Sequence, residues 1–264
     1  MRTVVSLLVI AAGVYLGLGA WVYATQRSQI YFPVPETHRP DAQVLWIESH
    51  GERLKVWAVV RPGSRALLYF GGNAEDVAGN LEAFSVAFPD RSLFLVNYRG
   101  YGGSSGQPSE AALFADALAV FDHVRREHAE IAVMGRSLGS GVAVWVASER
   151  PVEQLVLVTA FDSLVNVAKE YFRWLPVGWL MRDRYDSASR AAAVKAPVLV
   201  VIAGEDEIIP RLRSEALVKA FPASQVRVQV VPGVGHNTLD ESPAYLESVA
   251  RFLHGAAGIP GPAT

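Results

Sequence analysis

Residues Val133 to Gly141 read VMGRSLGSG and place one serine, Ser137, between Gly135 and Gly139. The stretch follows the apolar run EIAVMG (130–135), a strand candidate, and precedes a helical pattern from Leu138 to Ser148. A strand that turns sharply into a helix forces strained backbone angles on the residue at the apex and crowds the chain on either side. Glycines at 135 and 139 remove the side chains that would collide there. The turn also sets the Leu138 N–H at a helix N-terminus, where a developing anion is favoured. A glycine-rich turn with no chemistry has the same local pattern. Ser137 therefore qualifies as a nucleophile only if the rest of the chain supplies a base, an orienting acid and an anion hole.

Working outward, apolar runs alternate with helical patterns. RALLYF (65–70), SLFLVNY (92–98), EQLVLVTA (153–160), APVLVVIAG (196–204) and SQVRVQVVPG (224–233) read as strands. Helical spacing appears at Val77, Leu81, Phe84 and Phe88, and at Leu113, Phe114, Ala117, Leu118, Phe121 and Val124, with further helices over 211–221 and 243–255. Continuous apolar strands between helices predict a mostly parallel sheet covered on both faces. QVLWIES, the turn HGE and RLKVWAVV (43–60) predict a hairpin and hence an antiparallel N-terminal edge. No internal repeat or second domain is visible.

In such a sheet, ligands gather beyond the carboxyl ends of the strands. The loop after 196–204 holds three acids, Glu205, Asp206 and Glu207. The loop after 224–231 holds His236, framed by Gly233 and Gly235. His123 and His128 fall on the polar side of a helix, and His38, His50 and His254 lie outside the strand-end loops. His236 is thus the candidate base, and a carboxylate of the acidic loop its partner. After 65–70 comes YFGGNAED, whose Gly71 and Gly72 let backbone approach a substrate oxygen. The Asn73 and Leu138 N–H groups are the candidate anion-hole donors.

Together, LLYFGGNAED, NYRGYGGSSGQPSE, GRSLGSGVA, PVLVVIAGEDEIIP and GVGHN resemble the α/β-hydrolase superfamily, and within it the small membrane-anchored, bud-emergence-type serine hydrolases. The resemblance covers roughly 31–253. It implies an α/β-hydrolase fold with a short cap segment, Ser137 as nucleophile, Asp206 as acid and His236 as base. Gly72, Tyr101 and Phe161 are the expected substrate contacts. One departure stands out: Gly71-Gly72-Asn73 replaces the His-Gly-Asn common in that branch. Arg99, in NYRGYGG, reads as a structural residue fixing its loop. The scheme calls on no metal and no organic cofactor.

The chain has 264 residues, half of them hydrophobic, a formal net charge of −2 and no cysteine. There is no basic footprint for nucleic acid, no disulfide and no thiolate chemistry. Thr3 to Gln26 carries no charge. A helix over Val4–Ala24 would be about 31 Å long, matching a bilayer core of about 30 Å. That predicts a transmembrane anchor over 1–26. A signal peptide cleaved before Thr25 and a buried core helix are the alternatives. Arg2 on one side and Arg27 and Arg39 on the other leave the orientation open. A proline-punctuated linker is expected over 27–42, the hydrolase domain over 43–255 and a disordered tail over 256–264.

Residues 161–195 break the strand–helix rhythm. Their cluster FRWLPVGWLM reads as an apolar cover over the pocket, a surface facing the membrane, or core. An apolar cover would favour a small-molecule or lipid-like acyl substrate. The expectation is a serine hydrolase of carboxylic esters or thioesters. Peptide cleavage or acyl transfer by the same residues, or a non-catalytic membrane-tethered binding module, are the competing readings. The sequence does not set the oligomeric state.

Overall fold

The structure, a computed structural model, describes residues 1–255; the expected tail over 256–264 lies outside the described residues. A long helix, α1 (Arg2–Ile30), leads into one eight-stranded sheet. The hairpin β1 (Gln43–Ser49) and β2 (Glu52–Val59) forms as the sequence predicts. Its two-residue turn needs left-handed backbone at both positions, and His50 (φ 47°) and Gly51 (φ 80°) supply it.

The following strands alternate with helices. They are β3 (Arg65–Phe70), α2 (Leu81–Ala87), β4 (Ser92–Val96), α3 (Glu110–Val124), β5 (Glu130–Arg136), α4 (Leu138–Glu149) and β6 (Gln154–Val158). The segment 161–195 carries three short helices, α5 (Leu164–Tyr171), α6 (Val177–Leu180) and α7 (Ser187–Arg190). The chain closes with β7 (Val198–Ala203), α8 (Arg211–Ala220), β8 (Val226–Val231) and α9 (Pro243–His254). The spatial order is β1-β2-β4-β3-β5-β6-β7-β8, with β2 antiparallel to both its neighbours and every later pairing parallel. This is the α/β-hydrolase arrangement, with the antiparallel edge at the N-terminal side.

Period-two alternation divides each apolar strand between two cores. Leu68 and Phe70 of β3 join Phe121, Val142 and Val146 under α3 and α4. Leu67 and Tyr69 join Phe84, Phe88, Val249 and Phe252 under α2 and α9. Each fully buried large side chain contributes on the order of 2 kcal/mol. Both layers together hold the carboxyl ends of β3, β5, β7 and β8 in fixed register.

Three expectations change. Helix α1 continues through Ile30, so the first four residues of the predicted linker are helical. The rest of it is pinned to the domain: buried Lys55 Nζ donates to Glu36 at 2.9 Å, and Thr37 Oγ1 donates to Asp76 at 2.7 Å. The helical repeat beginning at Val77 opens as a 3₁₀ turn (Val77–Asn80) because Asp76 caps it by accepting from Ala78 N–H. His128 lies beyond the end of α3. The chain turns back there, and its ring is buried edge-on against Phe94 at 5.3 Å.

Candidate active site

Ser137 sits between β5 and α4 with φ 50° and ψ −117°, backbone that a non-glycine residue adopts at a cost of about 1–3 kcal/mol. The neighbouring glycines show why the turn can be this tight. A Cβ on Gly135 would strike the carbonyl of Gly139, and one on Gly139 would strike the carbonyls of Phe70 and Gly71. The apex is held by Ser137 N–H donating to the Val158 carbonyl at 2.9 Å and by Ser140, whose N–H and hydroxyl both donate to the Ser137 carbonyl. With this backbone fixed, Oγ projects above the sheet.

His236 Nε2 lies 3.0 Å from Ser137 Oγ, and its Nδ1 lies 3.0 Å from both carboxylate oxygens of Asp206. The tautomer protonated on Nδ1 donates to Asp206 and accepts from Ser137. Of the three acids in the loop, the chain turns only Asp206 inward; its side chain is 3% exposed. Its Oδ1 also accepts from the Ile208 and Ile209 N–H groups, at 3.0 and 2.7 Å, which fixes the carboxylate's direction. Glu207 points the other way round the loop. It accepts the His236 N–H at 3.0 Å, and that hydrogen bond holds its carboxyl below the usual range.

The loop after β3 faces Ser137. A Cβ on Gly72 would come within 3.6 Å of Ser137 Cβ. Gly72 N–H is already committed to Glu75 Oε2 at 2.5 Å. Glu75 Oε1 also accepts from the Tyr69 hydroxyl and Asn80 Nδ2, both at 2.7 Å, so one carboxylate ties the loop together. The glycine at 71 has a reason here: a Cβ would lie 2.5 Å from Val77 Cγ1 and 3.2 Å from the Glu75 carboxyl carbon. Among the described residues, neither the Asn73 nor the Leu138 N–H finds a protein acceptor, and both belong to segments bordering Ser137.

A cleft of about 530 Å³ opens over these groups. Gly72, Asn73, Ala74, Glu75, Arg136, Ser137 and His236 line it, with Phe32 and Ile208 as its apolar rim and Asn237 and Asp240 opposite. Two expected substrate contacts are elsewhere. Phe161 is 1% exposed in the core under α4. Tyr101 is 2% exposed and uses its hydroxyl to hold Asn73 Oδ1 (2.8 Å) and to accept Phe32 N–H (3.0 Å). Both are large aromatics whose rings fill space behind the loops. None of residues 161–195 is among the cleft's lining; the segment reaches the site through Tyr171, whose hydroxyl donates to the Ile208 carbonyl at 2.8 Å.

Other contributors carry no local sequence signal. Arg136 donates to the His236 carbonyl at 3.0 Å and pairs with Asp240 at 3.3 Å, linking the serine turn to the histidine loop. Phe32 follows α1 directly. Asn73 Nδ2 donates to the Ile30 carbonyl at 2.6 Å, and Asn73 Oδ1 accepts Phe32 N–H at 3.0 Å. The end of α1 is therefore part of the cleft. Arg99 has the structural place expected of it, paired through two nitrogens with buried Asp116.

A strained serine facing a histidine–carboxylate pair, on this sheet order, marks one class of protein, and comparison with known proteins agrees. A family profile described as serine aminopeptidase, S33, matches residues 177–243. The Pyrococcus furiosus esterase Pf2001 superposes with a TM-score of 0.68 at 16% identity, covering 85% of this chain and 98% of that one. The mouse alpha/beta hydrolase domain-containing protein 10 gives 0.63 at 17%, covering 81% and 97%. The chain is a member of the α/β-hydrolase superfamily. Within it, an uncharacterized Mycobacterium tuberculosis protein is 39% identical over 261 residues, 92% of each chain, and the two belong to one family. The Caenorhabditis elegans alpha/beta hydrolase domain-containing protein aho-3 is 32% identical over 71% of this chain and 57% of its own length.

Proposed function

We propose that the protein is a membrane-anchored serine hydrolase that cleaves carboxylic esters or thioesters through an acyl-enzyme. The observation that carries this is the 3.0 Å contact of His236 Nε2 with Ser137 Oγ, with Asp206 behind Nδ1. In this reading His236 takes the serine proton as Oγ attacks the acyl carbonyl. Asp206 stabilises the imidazolium. The Asn73 and Leu138 N–H groups hold the oxyanion. His236 then protonates the leaving group, and water activated by the same ring releases the acid. The anchor is α1, which among the described residues is the helix long and apolar enough to cross a membrane.

Hydrolysis of p-nitrophenyl butyrate and labelling of Ser137 by a fluorophosphonate are the tests. Turnover that survives Ser137→Ala overturns the mechanism. A folded protein that neither turns over nor labels is a binding module. The aminopeptidase description of the matching family favours one second reading, cleavage of amides. Aminoacyl p-nitroanilides tested beside the esters decide between them.

A further inference from the structure

Helix α1 does not stand clear of the domain. Its second half lies against residues 174–182, and the contacts follow in register along its axis. The Tyr15 hydroxyl donates to the Trp174 carbonyl at 3.0 Å. Next along the helix, Leu16, Gly19, Ala20 and Tyr23 line an apolar groove of about 340 Å³ together with Leu175, Pro176 and Leu180. Gln26, buried, donates to the Leu180 carbonyl at 3.0 Å and accepts Arg182 N–H at 2.7 Å. Arg27 pairs with buried Asp183 at 3.0 Å. From Tyr15 to Gln26 is about 16 Å of helix.

Lengths decide what this means. The part of α1 before these contacts, Arg2–Val14, is about 20 Å long, against a hydrocarbon core of about 30 Å. It is too short to cross alone. If α1 crosses, residues 174–180 enter the bilayer beside it. If α1 instead lies within one leaflet, the same residues lie there with it.

The segment's chemistry fits lipid. Phe172–Met181 holds one charge, Arg173, which is 81% exposed on a side chain long enough to snorkel. Phe172, Trp174 and Trp179 are exposed, Trp179 almost completely (94%). Backbone groups need partners where there is no water, and helix side chains already satisfy the Trp174 and Leu180 carbonyls and the Arg182 N–H. Charged residues resume at Arg182, level with the end of the apolar run of α1.

We propose that Phe172–Met181 inserts into the lipid bilayer alongside α1, so that helix and cap form one membrane-embedded unit. The proposal rests on reading α1 as a membrane helix. It also orients the cleft. Tyr171 donates to the Ile208 carbonyl at 2.8 Å, and Phe32 lies two residues beyond α1, so both apolar rim residues adjoin the embedded unit. An acyl chain then reaches Ser137 from the bilayer.

The absence of native cysteine makes the test direct. An environment-sensitive fluorophore is attached to full-length protein carrying Trp179→Cys, Leu8→Cys or Glu127→Cys in phosphatidylcholine vesicles. Leu8 reports α1, and exposed Glu127 lies in the turn before β5, at the opposite end of the strands from the cleft. The bilayer should blue-shift the label at 179 and doxyl groups near the headgroup end of the acyl chains should quench it, with the label at 127 unchanged in both respects. A quenched label at 8 with an unquenched one at 179 overturns the proposal and leaves the anchor intact. No quenching at either overturns the anchor, and the proposal with it. In a second arm, Trp174→Asp with Trp179→Asp should leave p-nitrophenyl butyrate turnover unchanged and lower turnover of a vesicle-borne long-chain ester about tenfold, about 1.4 kcal/mol. Equal turnover of both substrates by variant and parent overturns it. A parent inactive on both substrates overturns the hydrolase reading, and the quenching arm still decides insertion.

Discussion

The cleft has two walls of different origin. One is made by loops at the carboxyl ends of β5, β7 and β8, where hydrogen bonds from or to the backbone fix Ser137 and His236, and backbone N–H groups fix the Asp206 carboxylate. The other is Phe32 and Asn73, and it depends on where α1 ends: Asn73 bridges the Ile30 carbonyl and the Phe32 N–H. The first wall stores strain and gains its accuracy from the sheet. The second gains its accuracy from a helix that is hydrogen-bonded to residues 174–182. A long apolar helix therefore reaches the site through two residues of chain, and the two walls should fail in different ways.

Breaking the sheet-built wall should have the largest effect. Ser137→Ala is expected to lower kcat by about 10⁶-fold, and Asp206→Asn by about 10⁴-fold through the wrong His236 tautomer. Both should fold normally, as thermal melts will show. Ser137→Gly should be equally inactive and should melt above Ser137→Ala, because glycine relieves the φ 50° strain. Equal melting temperatures would mean the turn is not strained. Gly139→Ala should lose several kcal/mol or fail to fold, since its methyl meets two carbonyls of the neighbouring strand end that cannot move apart.

The helix-built wall should fail more gently. Asn73→Ala keeps the backbone N–H and leaves the Ile30 carbonyl without its side-chain partner, while Phe32 N–H keeps the Tyr101 hydroxyl as acceptor. A cost of about 1–2 kcal/mol is expected, read as roughly a tenfold fall in kcat on a soluble ester with little change in KM. Deleting residues 1–30 should produce a fall at least as large. Full activity of that truncated chain on p-nitrophenyl butyrate would show that the second wall positions nothing.

The same division separates what the sequence reveals from what it hides. The strands, their order of use and the loops bearing Ser137, Asp206 and His236 are written in local patterns: apolar runs, glycine pairs and a histidine beyond a strand. The structure brings those three residues within hydrogen-bond distance. The acidic loop is less legible, because Glu205, Asp206 and Glu207 are chemically interchangeable until Ile208 and Ile209 N–H groups select the middle one. Tyr101 and Phe161 mislead for a related reason: an aromatic near a strand end does not say whether its ring faces the cleft or the core. The α1–cap contacts join residues more than 150 positions apart and leave no local trace. Apolar character alone marks 172–181 equally well as cover, core or membrane surface.

The smallest expected effect tests the link between the walls. Tyr101 holds Asn73 Oδ1 and the Phe32 N–H through one hydroxyl, and its ring stays packed edge-on against Tyr98 at 5.7 Å. Tyr101→Phe removes the hydroxyl and leaves the ring. Phe32 N–H retains Asn73 Oδ1 as acceptor, so about 1 kcal/mol of stability should be lost, a fall of a few degrees in Tm. If the hydroxyl only fills the core, turnover will not change. If it carries the position of α1's end into the cleft, kcat on a soluble ester falls several-fold, and the size of the fall changes when Tyr101→Phe is made on the Asn73→Ala background, where the Tyr101 hydroxyl is the remaining side-chain acceptor of Phe32 N–H. That non-additivity separates a residue that positions Asn73 from one that merely packs behind it.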